Sequence, residues 1–196
     1  MKMENFIFEL SPLALAYFSW LLFRGNVDRI KAVFFAVAVH EASHLLALSF
    51  FHCRVSAMKL RMNGLCICYS GNDRPKEAFF FHMAGPVGGL LFFLLGKLSP
   101  CRLLPEWLFV SCRISFFLSL FNLLPAFPLD GGTAARIILE SHLEHSKTER
   151  LLRSFGVWLS VLLIFTGLVC IMKNSGFGAS LAGVWILCAN ISETAE

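Results

Sequence analysis

The chain has 196 residues, 57% of them hydrophobic and 15% charged, with a mean hydropathy of +0.68. A soluble domain carries about one quarter charged residues, and the apolar residues here fall in long runs, which marks a membrane protein. The formal charge of +4 comes without a basic patch interleaved with aromatics, so it argues for anchoring and orientation in a membrane and against a nucleic-acid partner. The seven cysteines are odd in number and scattered, unlike a secreted disulfide framework.

A membrane-spanning helix needs about 20 apolar residues. On that measure the chain predicts spans over 6–23, 31–51, 79–98, 107–127, 154–172 and 177–191, the last short and glycine-rich. The first run holds Glu9 and Pro12 and lacks a small-residue cleavage site, so it reads as a retained span and not as a removed signal peptide. Six spans place both termini on one side. That side carries ten Lys and Arg against six on the other, which puts the termini in the cytoplasm. The expected fold class is an all-α polytopic membrane protein, a single domain over 1–196 with no PDZ or nucleotide-sensing domain.

Between the second and third spans, "MKLRMNGLCICY" alternates around Asn63-Gly64, a two-residue hairpin signal. Pairing across that turn sets Met62 beside Leu65, Leu60 beside Ile67 and Met58 beside Tyr69 on one apolar face, with Lys59, Arg61, Cys66 and Cys68 on the other. Such a ribbon suits the membrane surface. The Cys66-x-Cys68 pair reads as two reduced thiols in a strand before it reads as a metal site. The stretch 133–153 is charged and helical in pattern. Its His142 and His145 read as residues of a solvated helix face.

The unusual span is the second. "FFAVAVHEASHLLALSFF" is apolar throughout, yet carries His40, Glu41 and His44 at its centre. Residues four apart on a helix lie on one face, one turn apart. Two imidazole nitrogens so placed can bind one zinc ion, and Glu41 can then take the proton of a water on that ion, which is the chemistry of H-E-x-x-H. Six histidines in 196 residues make a chance match rare, and ionisable groups at mid-membrane cost at least ~2.5–3.5 kcal/mol each on insertion scales, so they are seldom idle. Catalytic zinc takes three protein ligands. "NLLPAFPLDGG", Asn122 to Gly132, supplies a candidate third in Asp130. Its Pro125 and Pro128 cannot sustain helical bonding and Gly131-Gly132 favours a turn. Broken backbone at membrane depth is tolerated where it is buried in protein or lines a wet cavity. Both stretches lead to the same membrane face. His44 lies seven residues before the exit at Phe51, about 10 Å deep at 1.5 Å per residue.

"HEASH" followed by "NLLPAFPLDGG" resembles the site-2 protease family of intramembrane zinc metalloproteases, most of all the minimal bacterial branch with the sporulation factor-processing proteases. The resemblance covers most of 31–140. It implies one zinc held by His40, His44 and Asp130, Glu41 as general base, and Asn122 and Pro128 as a clamp on the substrate backbone. It also implies peptide-bond hydrolysis within or beside a transmembrane segment of another membrane protein, in a lipid bilayer. Control then falls to a regulatory membrane partner or to the substrate itself. Two departures stand out: Gly89 replaces an asparagine common at that place, and Arg136 stands three residues later than the usual arginine. The other class open to the sequence is a metal-binding membrane protein without hydrolysis, a transporter or a protease-derived chaperone; Glu41 beside a ligand favours hydrolysis. His82 reads as a hydrogen-bonded structural residue and Arg113 as a snorkelling or paired one.

Overall fold

The computed structural model describes residues 8–10, 27–51, 54–61, 64–70, 75–99, 105–173 and 178–192. They form two compact units, Met1–Asn122 and Leu123–Glu196.

In the first unit, β1 (Phe8–Leu10), β2 (Arg54–Arg61) and β3 (Gly64–Ser70) make a three-stranded sheet in the order β1-β2-β3, joined to a bundle of α1 (Val27–Phe50), α2 (Pro75–Leu98) and α3 (Glu106–Asn122). The first expected span is corrected here. Phe8–Leu10, near its head, is a strand paired in parallel with Met58–Leu60, because an alternating Phe-Glu-Leu serves a strand as well as a helix. Residues 11–23 lie outside the described residues. The expected pairings across Asn63-Gly64 are also corrected: β2 and β3 are antiparallel, but Leu60 faces Leu65, Met58 faces Ile67 and Lys59 faces Cys66. The register is displaced by two residues from the expectation. An even displacement preserves the alternation, so nothing in the two-residue pattern could have told the registers apart. A bulge between Val55 and Ala57 shifts the pairing again, to Val55 with Tyr69.

The three helices of this unit are apolar on the outside and small or polar within. α1 buries Ala32, Ala36, His40, His44 and Leu48, a stripe of every fourth residue, and exposes Phe34, Leu46 and Phe50. α3 buries Ser111, Cys112, Ser115 and Ser119 and exposes Phe117. α2 buries Phe81, Gly85, Pro86, Gly89 and Gly96. Small residues let helix backbones approach where lipid, not water, is the solvent. The "GPVGG" segment does this, with Gly88 against the Ser43 side chain and Gly89 against Ser119 and Ser115. Arg113, on the exposed side of α3, lays its guanidinium over the Phe109 ring, 4.9 Å from the centroid.

The second unit holds α4 (Asp130–Glu140), α5 (His145–Met172) and α6 (Gly178–Ser192). α5 buries Thr148, Leu152, Gly156, Ser160 and Gly167 and exposes Trp158 and Phe165, so this unit has the same apolar exterior. The fourth expected span, 107–127, ends five residues early. α3 stops at Asn122, and residues 123–129 are irregular because Pro125 and Pro128 offer no N–H; the Phe127–Pro128 bond is cis. The expected helical stretch 133–153 is broken at 141–144, where Ser141 turns its hydroxyl (2.6 Å) and its amide to the carbonyl of Ile138. Among the described residues three helices are long and apolar enough to cross a membrane: α1, α2 and α5. α6 is a shorter apolar helix.

Candidate metal centre

α1 carries the H-E-x-x-H residues. The spacing of four brings His40 and His44 onto the buried stripe, each 4% exposed, with ring centroids 5.0 Å apart and planes inclined at 79°. Glu41, one position round the helix, is half-buried. α2 crosses beside them. The carbonyl of Phe81 lies 2.9 Å from His44 Nδ1, and the Phe81 ring is 5.1 Å from the imidazole. With that carbonyl accepting the Nδ1 proton, the neutral ring keeps its lone pair on Nε2. This backbone anchor for one ring nitrogen is what a metal-ligating histidine needs.

Gly85 stands one helical turn after Phe81. A Cβ there would meet His44 Nε2 itself, would lie 2.7 Å from His44 Cε1 and would lie 2.8 Å from His40 Cε1. The missing side chain lets the α2 backbone pack closely against both imidazoles. These donors fit zinc: two buried imidazoles one helical turn apart, one with its Nδ1 held on a backbone carbonyl.

Asn122 closes α3, which packs against α1 and α2. Its Nδ2 donates to the carbonyl of Leu118 at 3.0 Å, which leaves the amide oxygen facing away from its own helix turn. Pro128 and Asp130 belong to the second unit. Leu129 is the N-cap of α4 and Asp130 its first residue, where a carboxylate suits the positive end of the helix dipole. Gly131 and Gly132 are not in a turn, as the sequence suggests, but in the first turn of this helix. A Cβ on Gly132 would lie 2.5 Å from the Ala126 carbonyl oxygen, and one on Gly131 would meet the backbone of Leu123. The paired glycines let the proline-containing loop lie flat on the helix start.

His142 and His145 do not form a helical pair. They are exposed and straddle the break between α4 and α5. His145 Nδ1 is 2.7 Å from Glu140 Oε1, which also accepts from Arg136 Nε at 2.7 Å. The Arg136 guanidinium, together with His145, holds the Glu140 carboxyl below its usual range. The sequence reading missed the Phe81 carbonyl, which no side-chain pattern announces. It also gave Gly85 only a packing role.

Residues 77–163 match the family model for peptidase family M50. The matched segment holds Asn122, Pro128 and Asp130, and it begins after the H-E-x-x-H helix. A Synechocystis protein named as a zinc metalloprotease, sll0528, is 28% identical over 176 residues, covering 84% of this chain and 46% of its own length. Stage IV sporulation protein FB of Bacillus subtilis is 28% identical over 136 residues, covering 66% of this chain and 46% of its own. A site-2 protease from Methanocaldococcus jannaschii has the same fold, with a TM-score of 0.68 at 18% identity over 92% of this chain and 86% of that one. The family model matches less than half of the chain. With three described helices long and apolar enough to cross a membrane, the chain is a multi-pass membrane protein. It spans less than half the length of the curated relatives it matches.

Proposed function

We propose that this chain is an intramembrane zinc metalloprotease that hydrolyses peptide bonds within or next to the transmembrane segments of other membrane proteins. The observation that carries the reading is the His40–His44 pair buried on an apolar helix, with His44 Nδ1 anchored on the Phe81 carbonyl and both rings packed closely against Gly85 of α2. His40, His44 and Asp130 would hold one zinc ion; Asp130 is assigned by the "NLLPAFPLDGG" motif within the matched family segment. Bound there, zinc supplies the polarisation that ionises a water near neutral pH and activates a carbonyl toward it.

Glu41 takes the proton of the attacking water and delivers it to the leaving amine. Asn122, with its amide oxygen turned off its own helix, accepts from or donates to the substrate backbone, and Pro128 shapes the same clamp. The substrate helix must unwind first, because its carbonyls are already hydrogen-bonded. An unwound segment in lipid needs backbone partners, and a sheet edge provides them. β2 is central, so among the described strands the edges are those of β1, with three residues, and of the longer β3, with seven. We assign the β3 edge the role of receiving the substrate as an added strand, with the sheet lying at the membrane surface. The remaining assignments are one protease domain with six spans, termini in the cytoplasm, and a membrane partner for control. They rest on the distribution of apolar runs and of Lys and Arg.

The test is co-expression with single-span membrane proteins. Glu41→Gln keeps size and hydrogen bonding and removes the base. It should retain zinc and lose cleavage by ~10²-fold or more. Zinc binding with full cleavage in that variant removes Glu41 from the mechanism. Zinc binding with no cleavage of any substrate by the wild type favours a metal-binding membrane protein without hydrolysis.

A further inference from the structure

α6 is apolar, yet Asn190 is buried in it at 4% exposure. An amide in such a helix is costly unless it is used. Its Nδ2 donates twice, to the Ile186 carbonyl one turn back at 2.8 Å and to the Phe127 carbonyl at 2.9 Å. Both partners are acceptors, so the nitrogen must be the atom that faces them. Asn190 Oδ1 is buried and accepts no hydrogen bond from the described residues. The side chain is therefore in place for its donor. Gly156 of α5 backs it: a Cβ there would lie 2.7 Å from both amide heteroatoms. The amide is thus held between α5 and its own helix, pointing at the loop.

The Phe127 carbonyl receives this donor from outside its loop. Pro128 has no N–H, and the amides of Leu129 and Gly132 go to Ala126 and Leu129. Three residues after that carbonyl comes Asp130.

We propose that Asn190 is a positioning residue. Through the Phe127 carbonyl it clamps the loop 123–129 to the α5–α6 pair, and so fixes the backbone that presents Pro128 and Asp130. This rests on the reading of Asp130 as a zinc ligand.

The experiment uses the purified full chain and two variants. Asn190→Leu keeps approximate size and removes the donor; Gly156→Ala leaves Asn190 in place and displaces its amide from behind. Hydrogen exchange is followed by peptide, and affinity for zinc alone by chelator competition, with Asp130→Ala as reference. Losing a bond that leaves a buried carbonyl unpaired should speed exchange over 123–133 by roughly tenfold or more. Exchange in the middle of α5 and α6 should stay close to wild type, and zinc affinity should fall by about tenfold. A merely structural role would loosen α5 and α6 and spare the loop. Unchanged exchange over 123–133 in both variants overturns the clamp. Loosened loops with wild-type zinc affinity, while Asp130→Ala loses zinc, overturn the positioning role. Wild-type zinc affinity in Asp130→Ala overturns the ligand assignment and takes the positioning claim with it, a result that does not involve Asn190 and so identifies which reading failed.

Discussion

Gly85→Ala is the sharpest perturbation of the proposed centre, because it adds one methyl group beside the atom that should bind metal. The new Cβ would meet His44 Nε2 and would stand 2.8 Å from His40 Cε1. Real Cβ atoms do not tolerate such contacts, so either α2 moves away from α1 or the His44 ring turns. Turning the ring also breaks the bond to the Phe81 carbonyl, worth about 0.5–1.5 kcal/mol. Overpacking of this kind costs about 1–3 kcal/mol. If that strain is relieved only in the metal-free arrangement, zinc affinity falls roughly 5- to 150-fold. Gly96→Ala is the matched control. Its Cβ would lie 2.8 Å from Cys112 Cβ, in the α2–α3 interface away from the histidines, so it should destabilise the bundle to a similar degree and leave zinc affinity alone. The assay is chelator competition on detergent-purified protein, paired with thermal unfolding of the metal-free forms. Equal zinc affinity in Gly85→Ala and Gly96→Ala, at equal loss of stability, would refute the role given to the close approach of α2 to the imidazoles at Gly85.

Metal analysis of the wild type should find about one zinc per chain, and His44→Ala or Asp130→Ala should lose most of it; full occupancy in both would sink the ligand assignment. Glu140 is held ionised by Arg136 and His145, so its contribution to stability is present above the unfolded carboxylate pKa of about 4.3 and disappears as pH falls through its lowered folded value. The group is partly exposed, so Glu140→Gln should cost at most ~1 kcal/mol at pH 7 and progressively less as the pH falls; a thermal midpoint difference that grows on acidification would contradict this. Proline at Leu65 or Ile67 of β3 should depress cleavage with zinc content and membrane insertion unchanged, and a proline scan of 58–69 without effect would leave the sheet as a mere anchor for its loop.

The metal motif was legible because its chemistry is out of place. Two imidazoles and a carboxylate in an apolar helix stand out against any background, and a spacing of four fixes their common face. Which face of each helix turns inward was not legible. α1 is apolar on nearly every side, so hydropathy cannot separate the buried Ala32, Ala36 and Leu48 from the exposed Phe34 and Leu46. Element ends failed for nameable reasons. The apolar run past Asn122 concealed a helix stop that Pro125 and Pro128 enforce, and Ser141 broke a stretch that looked continuous. Asn190 carried a readable signal, a lone amide among apolar neighbours, but its target is 63 residues away and only the fold reveals it.

The inverted packing explains how a centre of this kind can exist in lipid. In a water-soluble bundle the apolar face turns inward, and a polar stripe on it would be a defect. Here the large apolar side chains face out, and the interior stripes are histidine, serine, glycine and alanine. Small residues give the backbones close approach, and close approach brings backbone carbonyls within reach of side chains from other helices. The Phe81 carbonyl orients His44 across α1 and α2, and the Phe127 carbonyl receives Asn190 across the second unit. In both cases the partner is backbone and not a second side chain. That choice costs no further ionisable group in the membrane, and a helix or a packed loop holds a carbonyl more rigidly than any rotamer holds a side chain. Substitutions that push backbones apart at Gly85 or Gly156 should therefore disturb these side chains as severely as replacing the side chains themselves.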